Sequence, residues 1–309
     1  MSNPEVIEPK FVKIAENLAG AEGPVFDKGG NFYMVAPEVV DAQNKYAGEV
    51  LKVNLENGQT EVACRPKDGF DGGIPAGCQC DQENNIWIAD MRLGLLCMDS
   101  NGNYKQMFRY DSAGRIMQGC NDCIFDYDGN LWITAPAGNI APAPYARSFE
   151  EPFGSIYCMT KDKILVRIDS ELRFPNGIAV LHSSDGRPCK LIVAETPAKL
   201  LWQYDILGPG QVGKRSVWGK IPGDHEGGPD GMDFDADDNL LVANWGSGHI
   251  EVFQSTGGDP IVRIKCPFSR LSNLQFLPGT STVFVTEHSS HALWKFDWKR
   301  VGKKQFCEM

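Results

Sequence analysis

The feature that most constrains this chain is a pattern that occurs six times. The segments are "EGPVFDKGGNFYMVAPE" from Glu22, "AGCQCDQENNIWIADM" from Ala76, "NDCIFDYDGNLWITAPA" from Asn121, "NGIAVLHSSDGRPCKLIVAET" from Asn176, "DGMDFDADDNLLVANW" from Asp230 and "NLQFLPGTSTVFVTEH" from Asn273. Each has a short apolar run, a turn rich in Asp, Asn, Gly or Pro, and a second apolar run ending in a small residue. That order specifies strand, tight turn, strand. Further strand-like runs, such as "GEVLKVNLENGQTEVAC" and "HIEVFQSTGGDPIVRI", lie between the copies. Each unit of about 50 residues thus holds about four strands, the signature of a β-propeller. The expected architecture is all-β: a six-bladed β-propeller with four antiparallel strands per blade around a central tunnel. Residues 1–309 are expected to form one domain, with "FVKIA" near the N-terminus pairing in the last blade to close the ring.

Composition narrows the function. A phosphate-backbone partner needs a basic surface, and the net charge is -10, so a nucleic-acid partner is not expected. The N-terminus lacks the pattern of a signal peptide, and no run of about 18 apolar residues suits a membrane span. The expected location is the cytoplasm and the expected state a monomer, since a closed propeller buries its own edges. The ten cysteines are spread over a long chain and are expected to be reduced, buried and small.

Rotation about the axis makes equivalent positions of the innermost strands converge. The first position of the copies reads Glu22, Ala76, Asn121, Asn176, Asp230 and Asn273. Five carry a side-chain oxygen and none is basic. Asn and Asp are poor strand residues. A turn is an alternative role for Asn176-Gly177 and Asp230-Gly231, but not for Glu22. A ring of carboxylate and amide oxygens suits Ca²⁺, which takes six to eight oxygens. Glu22 and Asp230 match its charge, and Asn121 and Asn176 add neutral oxygens. Zinc is disfavoured, because this ring holds no His or Cys. In "GCNDC", simple alternation puts Asn121 and Cys123 on one face, with Asp122 and Ile124 on the other. The C-x-x-C there then reads as packing, with no second Cys or His pair to complete a zinc site.

The small residues Ala36, Ala89, Ala135, Ala194, Ala243 and Thr286 align in the second strands. Two positions on come Glu38, Met91, Ala137, Thr196, Trp245 and His288. This wider ring mixes apolar, aromatic and polar groups, as a small-molecule pocket does.

The segments "GAEGPVFDK", "GGIPAGCQCD", "ADMRLGLL", "GNLWITAPAG", "FPNGIAV", "LIVAETP", "DGMDFD", "LLVANWGS" and "FVTEH" together resemble the senescence-marker-protein/gluconolactonase family of calcium propellers, over nearly the whole chain. Within that family the chain is most similar to the phosphotriesterase branch. The resemblance implies calcium-dependent hydrolysis of organophosphorus fluoridates such as diisopropyl fluorophosphate, at the P–F bond. It places the catalytic calcium on Glu22, Asn121, Asn176 and Asp230, with Asn273 as a close neighbour. It makes Glu38, Ile74, Met91, Tyr145, Arg147, Phe174, Thr196, Trp245, Ser272 and His288 the substrate pocket. It also implies a second, structural calcium held by Asp233, the Leu274 carbonyl and a third residue. That residue is His in the family pattern and Gln275 here.

Two routes to the reaction stay open. Asp230 attacks phosphorus directly, or Asp230 or Glu22 deprotonates a metal-bound water. Direct attack is favoured, because Ca²⁺ lowers a water pKa less than zinc does. His288 is a candidate general base or a pocket-shaping residue. The alternative activity is a lactonase of the gluconolactonase type. A non-enzymatic calcium buffer or binding platform is the third reading.

Overall fold

The Asp-rich turns explain why the repeated segments fold as hairpins. Asp126 Oδ1 accepts the Asn130 backbone N–H at 2.8 Å, and Asp126 Oδ2 accepts the buried Trp132 Nε1–H at 2.9 Å. Asp81 does the same for Asn85 and Trp87, at 2.8 and 2.7 Å. Asp235 holds Asn239 at 2.9 Å and Trp298 at 3.0 Å. Each carboxylate therefore fixes the turn and satisfies an indole that would otherwise be buried unpaired. Asp126 and Trp132 are both fully buried. Asp126→Ala is expected to cost about 3 kcal/mol, because two or more buried donors lose their acceptor. Urea unfolding measures this, and a loss under about 1 kcal/mol would show that the turn holds without its carboxylate.

The computed structural model describes residues 4–69, 71–108, 110–117, 119–136 and 153–309. Tyr145, Arg147 and Ala137 lie outside the described residues. The hairpins assemble into six blades spanning 22–64, 75–108, 123–172, 175–220, 229–265 and 271–297, here blades I to VI. Neighbouring strands within these spans run antiparallel. The core lies between blades rather than at one centre. Separate apolar clusters join I to II, II to III, III to IV, IV to V, V to VI and VI to I. Trp132, for example, packs with Ile178 and Val193 of the next blade.

Both ends of the chain are stitched into the ring. Val12–Ala15 pairs antiparallel with Ala292–Asp297 as the outer strand of blade VI, as expected from "FVKIA". Glu5–Ile7 adds to the outer edge of blade V in parallel, which the sequence pattern did not indicate. Residues 301–309 cross one end of the axis as a strap. Lys303 N–H donates to Phe234 O, Phe306 stacks on Phe125 at 4.9 Å, and Cys307 is buried between blades I and II.

At the other end of the inner strands lies the expected ring of small residues. Ala36, Ala89, Ala135, Ala194, Ala243 and Thr286 are all fully buried. The Asn-Gly and Asp-Gly pairs are not turns. A Cβ on Gly177 would sit 2.0 Å from Asp230 O, and one on Gly231 would sit 2.0 Å from Asn273 Oδ1. Glycine there lets neighbouring inner strands abut.

Candidate active site

Every inner strand is irregular where the ring residue sits. The register shifts between Glu22 and Val25, between Pro75 and Gly77, between Pro175 and Ile178, between Pro229 and Met232, and between Leu271 and Asn273. In blade III, Asn121 N–H donates to Thr134 O while Thr134 N–H donates to Asp122 O, so two residues oppose one. These are bulges, which bend a strand and re-aim its side chains.

The bulge in blade III overturns one expectation. Alternation turned Asp122 away from the Asn121 face. Instead Asp122 is buried in the charge field of Glu22 and Asp230. Burial, then Asp122, pushes the Glu22 carboxyl up to about 8. Burial pushes Asp122 up to about 7. Asp230 is raised well above the usual carboxylate range by burial, then by Glu22 and Asp122. The axis therefore gathers buried carboxyls in a chain: Asp122 raises Glu22, both of them raise Asp230, and Asp122 itself is raised by Asp233.

The amides orient this group. The Asn273 amide lies beside Glu22 and Asp122 and favours their charged forms, while its Oδ1 accepts Leu274 N–H at 2.8 Å. Asn273 is thus a positioning neighbour. Asn176 Nδ2 donates to Thr196 Oγ1 at 3.2 Å, and its amide favours the charged form of Asp230, so Oδ1 is the atom able to ligate. Thr196 is itself fixed by donating to Pro229 O at 2.7 Å. Ser272 spends its hydroxyl on Ala21 O at 2.8 Å and Thr286 Oγ1 at 2.9 Å, so it braces the scaffold beside Glu22.

The donor set fits a hard divalent cation. It offers buried carboxylate and amide oxygens, and an ion there would relieve the mutual repulsion. The described residues hold no ready-made cluster of three His, Cys, Asp or Glu side chains in metal-binding array. Two of the four candidate ligands, Asn121 and Asn176, are amides and fall outside such a cluster, while Glu22 Oε2 accepts Gly23 N–H and Asp122 Oδ1 accepts Cys123 N–H. Cys120 and Cys123 are free thiols packed between blades II and III.

An apolar wall stands above the ring. Ile74, Ala76, Met91 and Phe174 form one buried cluster, with Tyr46 against it. Phe174 has φ +52°, a conformation that bulky residues rarely adopt. His288 lies edge-on to Trp245 at 4.7 Å, and its Nδ1 is 3.6 Å from Glu38. Its Nε2 is buried and has no hydrogen-bond partner among the described residues. Burial, then His291, lowers its pKa to about 4. The ring is therefore neutral at ordinary pH and a weak base. His288→Asn is expected to keep turnover within about tenfold, and the rate profile should show no limb near pH ~6.5 from this residue. Profiles of kcat/KM for both proteins test this; abolished turnover with the metal retained would make His288 the base.

Asp233, Leu274 and Gln275 sit lower on the axis and are buried. Asp233 accepts from Phe234 N–H at 2.8 Å, Phe276 N–H at 3.2 Å, Gln275 Nε2 at 2.9 Å and Gln305 Nε2 at 3.2 Å. All its lone-pair directions face N–H donors, and Gln275 presents nitrogen rather than oxygen. This arrangement does not fit a cation.

Residues 20–289 match the model of the SMP-30/gluconolactonase/LRE-like region. The chain belongs to that family. Among the family's curated proteins, diisopropyl-fluorophosphatase of Loligo vulgaris is 60% identical over 98% of this chain and 96% of its own. Lactonase drp35 of Staphylococcus saprophyticus is 27% identical over 91% of this chain and 82% of its own. The fold of this chain is similar to that of a solved calcium-binding protein, regucalcin, from Agrobacterium tumefaciens. It has a TM-score of 0.73 and 20% identity, over 99% of this chain and 98% of that one.

Proposed function

We propose that the chain is a calcium-dependent phosphotriester hydrolase that cleaves the P–F bond of organophosphorus fluoridates. The observation that carries this reading is the 60% identity to a diisopropyl-fluorophosphatase over nearly the full length. Glu22, Asn121, Asn176 and Asp230 would hold the ion. Calcium, when bound, polarises the phosphoryl oxygen and keeps Asp230 ionised despite its burial. The Asp230 carboxylate attacks phosphorus, the new O–P bond replaces P–F, and fluoride leaves. Water then adds to the Asp230 carboxyl carbon and releases the phosphate diester. Asn176 aims Asp230, and Asn273 holds Glu22 and Asp122 in place. The wall of Ile74, Met91 and Phe174 takes the alkyl groups of the substrate. Arg147, Tyr145 and Glu38 complete the pocket in this reading. The ten free thiols suit a reducing cytoplasm, and the reading has the chain working as a monomer.

Lactone hydrolysis is the second reading, favoured by the lactonase name of the more distant relative. The apolar wall suits a polyhydroxylated sugar poorly. Fluoride release from diisopropyl fluorophosphate is expected, followed with a fluoride electrode. Ring opening of an aldonolactone without fluoride release would overturn the proposal in favour of the second reading.

A further inference from the structure

We propose that Asp233 is held by an amide clamp made by Gln275 and Gln305 in place of a second metal ion. Two of the clamp's four donors are backbone N–H groups of Phe234 and Phe276, from adjacent inner strands of blades V and VI. The other two are side-chain amides, Gln275 on blade VI and Gln305 on the C-terminal strap. A carboxylate has about four lone-pair directions, and four donors fill them. A cation would need those oxygens and would face the Gln275 nitrogen at its nearest approach. Had Gln275 turned its oxygen inward without an ion, two oxygens would meet at hydrogen-bond distance and repel.

The strap is built to deliver Gln305. Lys303 N–H is anchored on Phe234 O at 2.9 Å, one residue past Asp233. Gln305 N–H is then capped by Glu308 Oε2 at 2.7 Å, which starts the turn Phe306–Glu308. Tyr127 donates to Lys304 O at 2.6 Å, and Phe306 stacks on Phe125. Anchors on blades V and III thus fix the strap on both sides of the Gln305 side chain. The clamp ties the strap and two blades to one buried carboxylate, the kind of cross-link a structural ion would supply.

This inference concerns the lower end of the axis and does not rest on the reaction proposed above. The test measures bound calcium by plasma mass spectrometry, and thermal midpoints, for wild type, Gln275→Leu and Gln305→Leu after gel filtration in calcium-containing buffer. The expected wild-type content is one ion per chain, unchanged in the variants. Each variant should melt lower by roughly 4 °C or more, because a buried carboxylate loses a donor. Two ions per chain in wild type would overturn the clamp, even if a variant fails to fold. Unchanged midpoints in both variants would overturn it too. No bound calcium, with both variants destabilised, supports the clamp and instead sinks the metal reading of the upper ring.

Discussion

Asp230→Asn is expected to lower fluoride release by at least about 10³-fold while calcium stays bound, if its carboxylate is the nucleophile. The change is nearly isosteric. The amide keeps one oxygen and replaces the other with an NH2 group, which removes the charge and the nucleophilic oxygen. Gly177, whose open face lies against Asp230 O, leaves the backbone there undisturbed. Activity and metal content must be read on the same sample. If calcium falls in proportion to activity, Asp230 is a ligand and no more. Turnover within tenfold of wild type would remove it from the reaction altogether. Single turnover in ¹⁸O water separates the two routes. Direct attack puts the label in the Asp230 carboxylate first, whereas water attack puts it in the product.

Calcium removal is expected to abolish turnover and lower the melting temperature together. Glu22 and Asp230 are buried in the field of Asp122, and Asp122 is buried in that of Asp233. Without a cation they must take up protons or repel. An ion present at about 1,000 times its Kd adds about 4 kcal/mol to folding, a shift on the order of 10 °C for a chain this size. Chelation followed by scanning calorimetry and assay measures both effects, and added Ca²⁺ should restore both. Full turnover after depletion to less than one-tenth of an ion per chain would refute the metal's role.

The architecture was legible because rotation copies a local pattern. Glu22, Asn176 and Asp230 stand out only when the six segments are laid in register, and the structure puts all three on bulges beside the axis. The same register gave the ring of alanines that ends in Thr286. Asp122 was missed because alternation holds for a regular strand, and the bulge opposite Thr134 breaks it. The signal was present in retrospect: Asp122 stands where Gly follows the ring residue in the copies starting at Glu22, Ala76, Asn176 and Asp230. The strap was illegible for another reason. "GKKQF" has no periodicity, and its partners on blades III and V are far away along the chain. Gln275 could be flagged as a departure, but the partner that completes it, Gln305, could not.

The stitching of both chain ends into the ring has a kinetic consequence. Gly20 N–H reaches His291 Nδ1 across 271 positions of the chain, and Val12–Ala15 waits for the strand Ala292–Asp297. Each apolar cluster is shared by two blades, so a partial ring leaves two sticky faces and two raw edges. Blades I to V can dock as they emerge from the ribosome, but circular closure needs blade VI. Loop entropy makes such distant contacts slow to form. The last step of folding is then expected to be the meeting of Val12–Ala15 with Ala292–Asp297, and the window before it is when aggregation is expected to be greatest.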